Sequence, residues 1–270
     1  LTLDPQKTGP GELPKDDKPA RLPPHRGVYI LPNLLTTASL FMGFVGMTWA
    51  VEGRFEMCAL AIVASALFDG LDGKVARLTG TSSEFGVQYD SLADLVAFGV
   101  TPAFMAYEWQ LKHFGRLGLL AAFLMACCGA LRLARFNVQT KTVSKKFFIG
   151  MPIPAAGCTL AALVLFLPYI PEGMRQSVLP VGVLVLVYVL SFLMVSRVRY
   201  YAFKEFGVLK AHPFSSMVTA ILLFVLVASQ PRILGFAFFM GYLVYGLVYT
   251  LFYLQPRSSK LAAKQPEEQS

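Results

Sequence analysis

Four aspartates, Asp69, Asp72, Asp90 and Asp94, lie in runs of residues apolar enough to enter a bilayer. A carboxylate at the centre of a membrane helix costs roughly 2.5–3.5 kcal/mol, so four of them close together imply a binding site. Divalent cations placed between them are the least costly way to hold them together. Carboxylate oxygens at this density suit hard ions, Mg²⁺ or Mn²⁺, rather than zinc. Two such ions bridging phosphate oxygens would neutralise the charge developing on a leaving phosphate. A carboxylate remaining beside the nucleophile could act as general base.

The spacing says which elements must carry these groups. On a helix, Asp69, Asp72, Gly73 and Ala76 follow the i, i+3, i+4, i+7 rule and share a face. Gly73 leaves backbone open and Ala76 keeps the strip low, so a flat group such as a nucleotide could lie there. Arg77, one turn from Gly73, could meet a phosphate. Gly86, Asp90 and Asp94 repeat at i+4 and share a face likewise. Between the two groups, Thr79, Gly80, Thr81, Ser82 and Ser83 supply turn formers, so two antiparallel neighbouring helices bring the acids together. A buried salt-bridge network with Lys74 and Arg77 is the competing reading. Two cations do not balance four acids, and the glycines would be unexplained.

The rest of the chain supplies the membrane. Of 270 residues 55% are hydrophobic and 15% charged, with mean hydropathy +0.56. Soluble domains carry about 25% charged residues. An all-α polytopic membrane protein is expected, with about eight transmembrane helices near residues 31–51, 55–76, 85–107, 117–137, 150–170, 176–196, 213–230 and 233–254. The apolar runs do not alternate, which excludes barrel strands. A short interfacial helix around 25–32 is also possible. With eight spans, 19 of the 24 lysines and arginines fall on the side of both termini and 5 on the other. The positive-inside rule then makes the termini and the aspartates cytoplasmic, in a multi-pass protein of the inner (cytoplasmic) membrane. Loops facing anionic lipid account for the net charge of +8, so no nucleic acid is called for.

Residues 1–24 and 255–270 read as disordered cytoplasmic tails flanking one membrane domain, 25–254. The first 28 residues hold no apolar signal-peptide core, so the first span is expected to be retained. Cys58, Cys127, Cys128 and Cys158 sit in apolar spans without metal spacing and read as small buried hydrophobes. His25, His113 and His212 are scattered, which argues against a histidine metal site.

The pattern D-x-x-D-G-x-x-A-R-x₈-G-x-x-x-D-x-x-x-D, matched at all eight fixed residues over 26 positions, resembles the signature of the CDP-alcohol phosphatidyltransferase family. The resemblance implies that Asp69, Asp72, Asp90 and Asp94 hold two divalent ions, with Asp94 also the base. It implies that Asp72, Gly73, Ala76, Arg77, Ser83 and Gly86 line the site of a CDP-alcohol lipid, CDP-diacylglycerol. The segment from Pro32 and Asn33 to Thr36 resembles the family's additional nucleotide and phosphate contact. A six-helix core, a homodimer and a polar cavity open to the cytoplasm are implied as well. Eight spans would add two helices at the C-terminus.

Three further segments resemble the integral-membrane phosphatidylserine synthases of that family: Leu95 to Ala103, Gly129 to Asn137, and Lys145 to Gly157. The likeness implies L-serine as acceptor, with CMP released, and Arg132, Arg135, Asn137 and Lys146 as its contacts. A guanidinium fork can grip serine's carboxylate bidentately and aim its hydroxyl. Arg132 and Arg135 could equally bind the phosphate of glycerol phosphate or set topology, and Lys141 and Lys145 read as topology charges. A sibling enzyme using glycerol 3-phosphate or inositol phosphate is the nearest alternative, and a cation-coupled transporter the alternative of another class. No inverted repeat with broken helices supports the transporter.

Overall fold

The computed structural model describes residues 30–80, 83–139, 147–196, 198–201 and 229–254. The chain opens with an antiparallel helix pair, α1 (Ile30–Val51) and α2 (Phe55–Thr79). The buried residues of α1 are Pro32, Thr36, Ser39, Gly43, Gly46 and Ala50, spaced alternately four and three apart. That repeat forms a straight seam, and its small side chains let neighbouring backbones approach closely. Ser39 and Ser65 each donate a hydrogen bond to the other's carbonyl across the seam. A Cβ at Gly43 would stand 2.9 Å from Ala97 Cα, so glycine is required there.

Helix α2 stops at Gly80, whose φ of 66° gives the left-handed turn that ends many helices. Helix α3 (Glu84–Asp94) starts at Ser83, whose hydroxyl accepts the Gly86 amide at 3.0 Å. It continues through a π-helical turn, Leu95–Val100, into α4 (Thr101–Trp109). The Thr101 amide reaches back five residues to Val96 O, and its hydroxyl donates to Val96 O and Gly43 O at 2.8 and 3.0 Å. Such wide turns are frequent at functional sites, and this one begins directly after Asp94.

A 3₁₀ turn leads to α5 (Arg116–Gln139). Strand β1 (Phe147–Ile149) precedes α6 (Ile153–Phe166), then come α7 (Glu172–Ser177), α8 (Leu179–Val195), β2 (Arg199–Tyr201) and α9 (Pro231–Leu254). The two strands pair antiparallel, Phe147 opposite Tyr201, and tie the start of α6 to the end of α8. This small ribbon is a departure from the all-helical expectation; the rest of the described chain is helices and turns. Helix α6 is buried on nearly every side, from Ile153 through Ala156 to Val164, and forms the centre of the bundle. Helix α9 leans on it through Phe236, stacked on Phe166 at 4.4 Å, and an Arg232–Glu56 ion pair joins the starts of α9 and α2.

Among the described residues, three helices are long and apolar enough to cross a membrane: Ile30–Val51, Arg116–Val138 and Pro231–Tyr249. The apolar stretches Ile153–Tyr169 and Leu179–Val195 are shorter. Phe41, Phe44, Phe123 and Phe192 face outward, a surface suited to lipid. Seven of the eight expected spans coincide with described helical segments, the third as α3, the π-turn and α4 together. The expected span at 213–230 falls almost wholly outside the described residues. So do both expected tails and most of the interfacial segment around 25–32.

Candidate active site

The turn at Gly80 and the cap at Ser83 set α2 and α3 side by side, and their acids converge. Asp69, Asp72 and Asp90 each place a carboxylate oxygen within 4.8 Å of the other two. Oxygens sharing one hard cation, each about 2.0–2.6 Å from it, can be no more than about 5 Å apart. Asp72 is buried, and Thr36 of α1 donates to its Oδ2 at 2.7 Å while also donating to Pro32 O at 3.1 Å. Asp94 lies one turn beyond Asp90, its carboxyl within hydrogen-bonding reach of Asp69. Its Oδ1 is buried and has no hydrogen-bond partner.

A divalent ion fits these groups. Among the described residues no lysine or arginine forms an ion pair with any of the four acids. Among the described residues a salt-bridge network therefore does not account for them. Three clustered carboxylates without cationic partners among the described residues are what a metal would satisfy.

Beside the cluster lies a cavity of about 150 Å³, walled by Pro32, Asn33, Thr36, Asp72, Gly73, Ala76, Ser83, Gly86, Val87 and Asp90. Seven of the eight residues expected to contact the nucleotide lipid are in that wall. A Cβ at Gly73 would meet nothing within 4 Å, so the backbone there faces open space. A Cβ at Gly86 would come 3.2 Å from Ser83 Oγ and 3.5 Å from Asn33 Oδ1, so bulk there would crowd the wall. Arg77 is the exception. Its Nε donates to Gly73 O at 2.8 Å, which turns the guanidinium along its own helix and out of the lining.

The expected acceptor residues do not gather in one place. Arg132 is 9% exposed, its Nε is buried without a partner, and Asp94 and Tyr242 of α9 lie within charge-interaction range. Arg135 is half-buried and donates weakly to Val195 O, 3.4 Å away at the end of α8. Asn137 donates to Ser91 Oγ at 3.0 Å and Gln88 Oε1 at 3.3 Å, joining α5 to α3. Lys146 lies outside the described residues. The one-residue step from 135 to 136 and on to 137 turns these side chains to different sides of α5, which sequence proximity conceals. Sequence reasoning did not single out Thr36 as the orienting partner of Asp72, nor Ser91 or Tyr242. The threonine spacing gave a hint; Tyr242 is far along the chain and no spacing rule reaches it.

Residues 29–188 match the family model for CDP-alcohol phosphatidyltransferase. A CDP-diacylglycerol–serine O-phosphatidyltransferase of Helicobacter pylori is 39% identical over 232 residues, covering 85% of this chain and 94% of that protein. The enzyme of the same name from Methanocaldococcus jannaschii is 34% identical over 175 residues, 65% of this chain and 75% of the relative. An archaetidylserine synthase of Methanothermobacter thermautotrophicus is 34% identical over 172 residues, 63% of this chain and 69% of that protein. With the motif complete, its acids clustered and more than half its length matched, this chain belongs to the CDP-alcohol phosphatidyltransferase family.

Proposed function

We propose that this chain transfers the phosphatidyl group from CDP-diacylglycerol to L-serine, making phosphatidylserine and releasing CMP. One observation carries the reading: the Asp69, Asp72 and Asp90 cluster borders a cavity walled by the motif's own small and polar residues. The likeness to serine-using relatives over 85% of the chain supports the choice of acceptor.

Asp69, Asp72, Asp90 and Asp94 would hold two divalent ions, Mg²⁺ or Mn²⁺, which when bound neutralise charge on the pyrophosphate and on departing CMP. Thr36 holds Asp72 in one orientation, so the carboxylate needs no rearrangement when the donor arrives. Gly73, Ala76 and Gly86 keep the wall low for the nucleotide, and Asn33 and Ser83 offer it hydrogen bonds. Asp94 takes the proton from the serine hydroxyl at its unpartnered Oδ1. The serine oxygen then forms a bond to the phosphorus that carries diacylglycerol, the bond from that phosphorus to the CMP oxygen breaks, and CMP leaves. A serine hydroxyl is a poor nucleophile at neutral pH, which is why a base must stand beside it.

The same reading places eight spans in the inner membrane, six in a family core and two beyond it. Both termini and the active site face the cytoplasm, in agreement with the 19-to-5 charge split. It also takes the chain to be a homodimer.

An acceptor screen tests the function. Detergent-purified protein is incubated with CDP-diacylglycerol and Mn²⁺, with L-serine, glycerol 3-phosphate or inositol phosphate in turn. Phosphatidylserine and CMP are expected with serine alone. Phosphatidylglycerophosphate as sole product would replace the acceptor, and no CMP with any alcohol would favour a transporter, which needs a sealed membrane and releases none.

A further inference from the structure

We propose that the end of the bundle away from the acids carries a phospholipid-binding site. An apolar groove between α6, α8 and α9 takes an acyl chain, and Arg175 at its rim takes the phosphate. The site is separate from the catalytic one and does not depend on which alcohol is the acceptor.

The groove encloses about 590 Å³, within the range of sites that hold small ligands. Its walls include Leu163 and Phe166 of α6, Gly182 and Val185 of α8, and Met240 and Leu243 of α9. A Cβ at Gly182 would meet nothing within 4 Å, so the floor there is open. Val178 and Val185 are each 54% exposed, so the groove opens sideways and is no sealed core void. Among its lining residues only Tyr169 carries a polar side-chain group, its hydroxyl 3.4 Å from Gln230 Oε1. An acyl chain fits such a surface, whereas a polar metabolite would find no partners inside. The Arg232–Glu56 ion pair sets the start of α9 beside the start of α2. Asp69 lies roughly 20 Å further along α2, at 1.5 Å per residue. The mouth of the groove therefore stands at the opposite end of the bundle from the donor's site.

The cation at the rim selects a phospholipid over other apolar partners. Arg175 Nε donates to Ile170 O at 2.7 Å, and a terminal nitrogen donates to Pro168 O at 3.1 Å. Ile170 and Met174 both line the groove, so the guanidinium is pinned at its mouth. A guanidinium has five N–H donors in one plane, and those not spent on the two carbonyls are left for a ligand. Three other cations of this end are neutralised: Arg54 pairs with Glu52, Lys112 with Glu108 and Arg232 with Glu56. Arg175 forms no ion pair among the described residues. A fixed guanidinium without a counter-charge, standing over an apolar slot, matches a phosphodiester standing over an acyl chain.

Native mass spectrometry of the detergent-purified full chain tests the site, with CDP-diacylglycerol saturating the donor cavity. The probes are dioleoylphosphatidylglycerol and dioleoylglycerol, which has the same chains without the phosphate. The unsubstituted chain is expected to hold phosphatidylglycerol about tenfold or more tighter than diacylglycerol. Arg175→Gln is expected to lose about tenfold in affinity for phosphatidylglycerol, and the preference with it. Gly182→Phe fills the groove and is expected to lose the lipid altogether. Lys112→Gln, which removes a cation of the same end already paired with Glu108, is expected to change neither affinity. Should Gly182→Phe not fold, Val185→Trp blocks the same wall and carries the same expectation. Equal affinity for the two lipids overturns the site, as does Arg175→Gln binding like the unsubstituted chain, or lipid retained with the groove filled. No lipid retained by the unsubstituted chain, because its own residues 213–228 or a second copy occupies the groove, overturns it too.

Discussion

The donor half and the acceptor half of this site are built in different ways. On the donor side, α2 and α3 are consecutive, joined by a short turn, and carry three clustered acids and much of the cavity wall within 26 positions. On the proposed acceptor side, Arg132 comes from α5 and the proposed base Asp94 from the end of α3, on helices that are not neighbours in the chain. Chemistry common to a family can be held by local helical spacing. Discrimination between small alcohols draws on tertiary neighbours, where single residues can change without disturbing the metal.

Substitutions can break or sharpen this contrast. Asp94→Asn, which spans both halves, is expected to cut kcat by about a thousandfold, the usual worth of a general base, with donor affinity largely kept. Turnover near normal would remove Asp94 from the proton transfer. Gly86→Val pushes a side chain toward Ser83 and Asn33 and is expected to raise KM for CDP-diacylglycerol by about tenfold or more, leaving KM for serine alone. A rise confined to serine would dissolve the division into halves. Arg132→Lys keeps the charge and loses the fork, so KM for serine should rise about tenfold with donor KM unmoved. Matching changes in both constants would make Arg132 a structural cation. Arg135→Ala, whose one described bond is long and exposed, should shift either constant by about twofold at most. A tenfold serine effect there would return Arg135 to the pocket.

The same contrast governs what the sequence discloses. The i, i+3, i+4 pattern of Asp69, Asp72 and Gly73 and the i+4 step from Gly86 to Asp90 are local geometry, and the structure builds them into one cluster and one wall. Apolar length located helical segments at seven of the eight expected positions, but not that the third would contain a π-turn, where the Thr101 hydroxyl donates a further bond to Gly43 O on another helix. Arg77 shows where spacing misleads: the right face is not the right rotamer, and its own Gly73 carbonyl captures it. Asn137 follows Arg135 closely in sequence but bonds to α3, since a helix turns about 100° per residue. The β1–β2 ribbon is too short to leave a periodic trace.

The central claim is that acids from two neighbouring helices clasp a divalent ion beside the nucleotide cavity. Crystals or grids of the detergent-purified chain grown with Mn²⁺ and a CDP-alcohol test it, with anomalous diffraction at the manganese edge to identify the ion. The account predicts an anomalous peak bounded by the carboxylates of Asp69, Asp72 and Asp90, lost in Asp72→Asn. A bound nucleotide with no peak among those side chains, or a peak that survives Asp72→Asn unchanged, would contradict it.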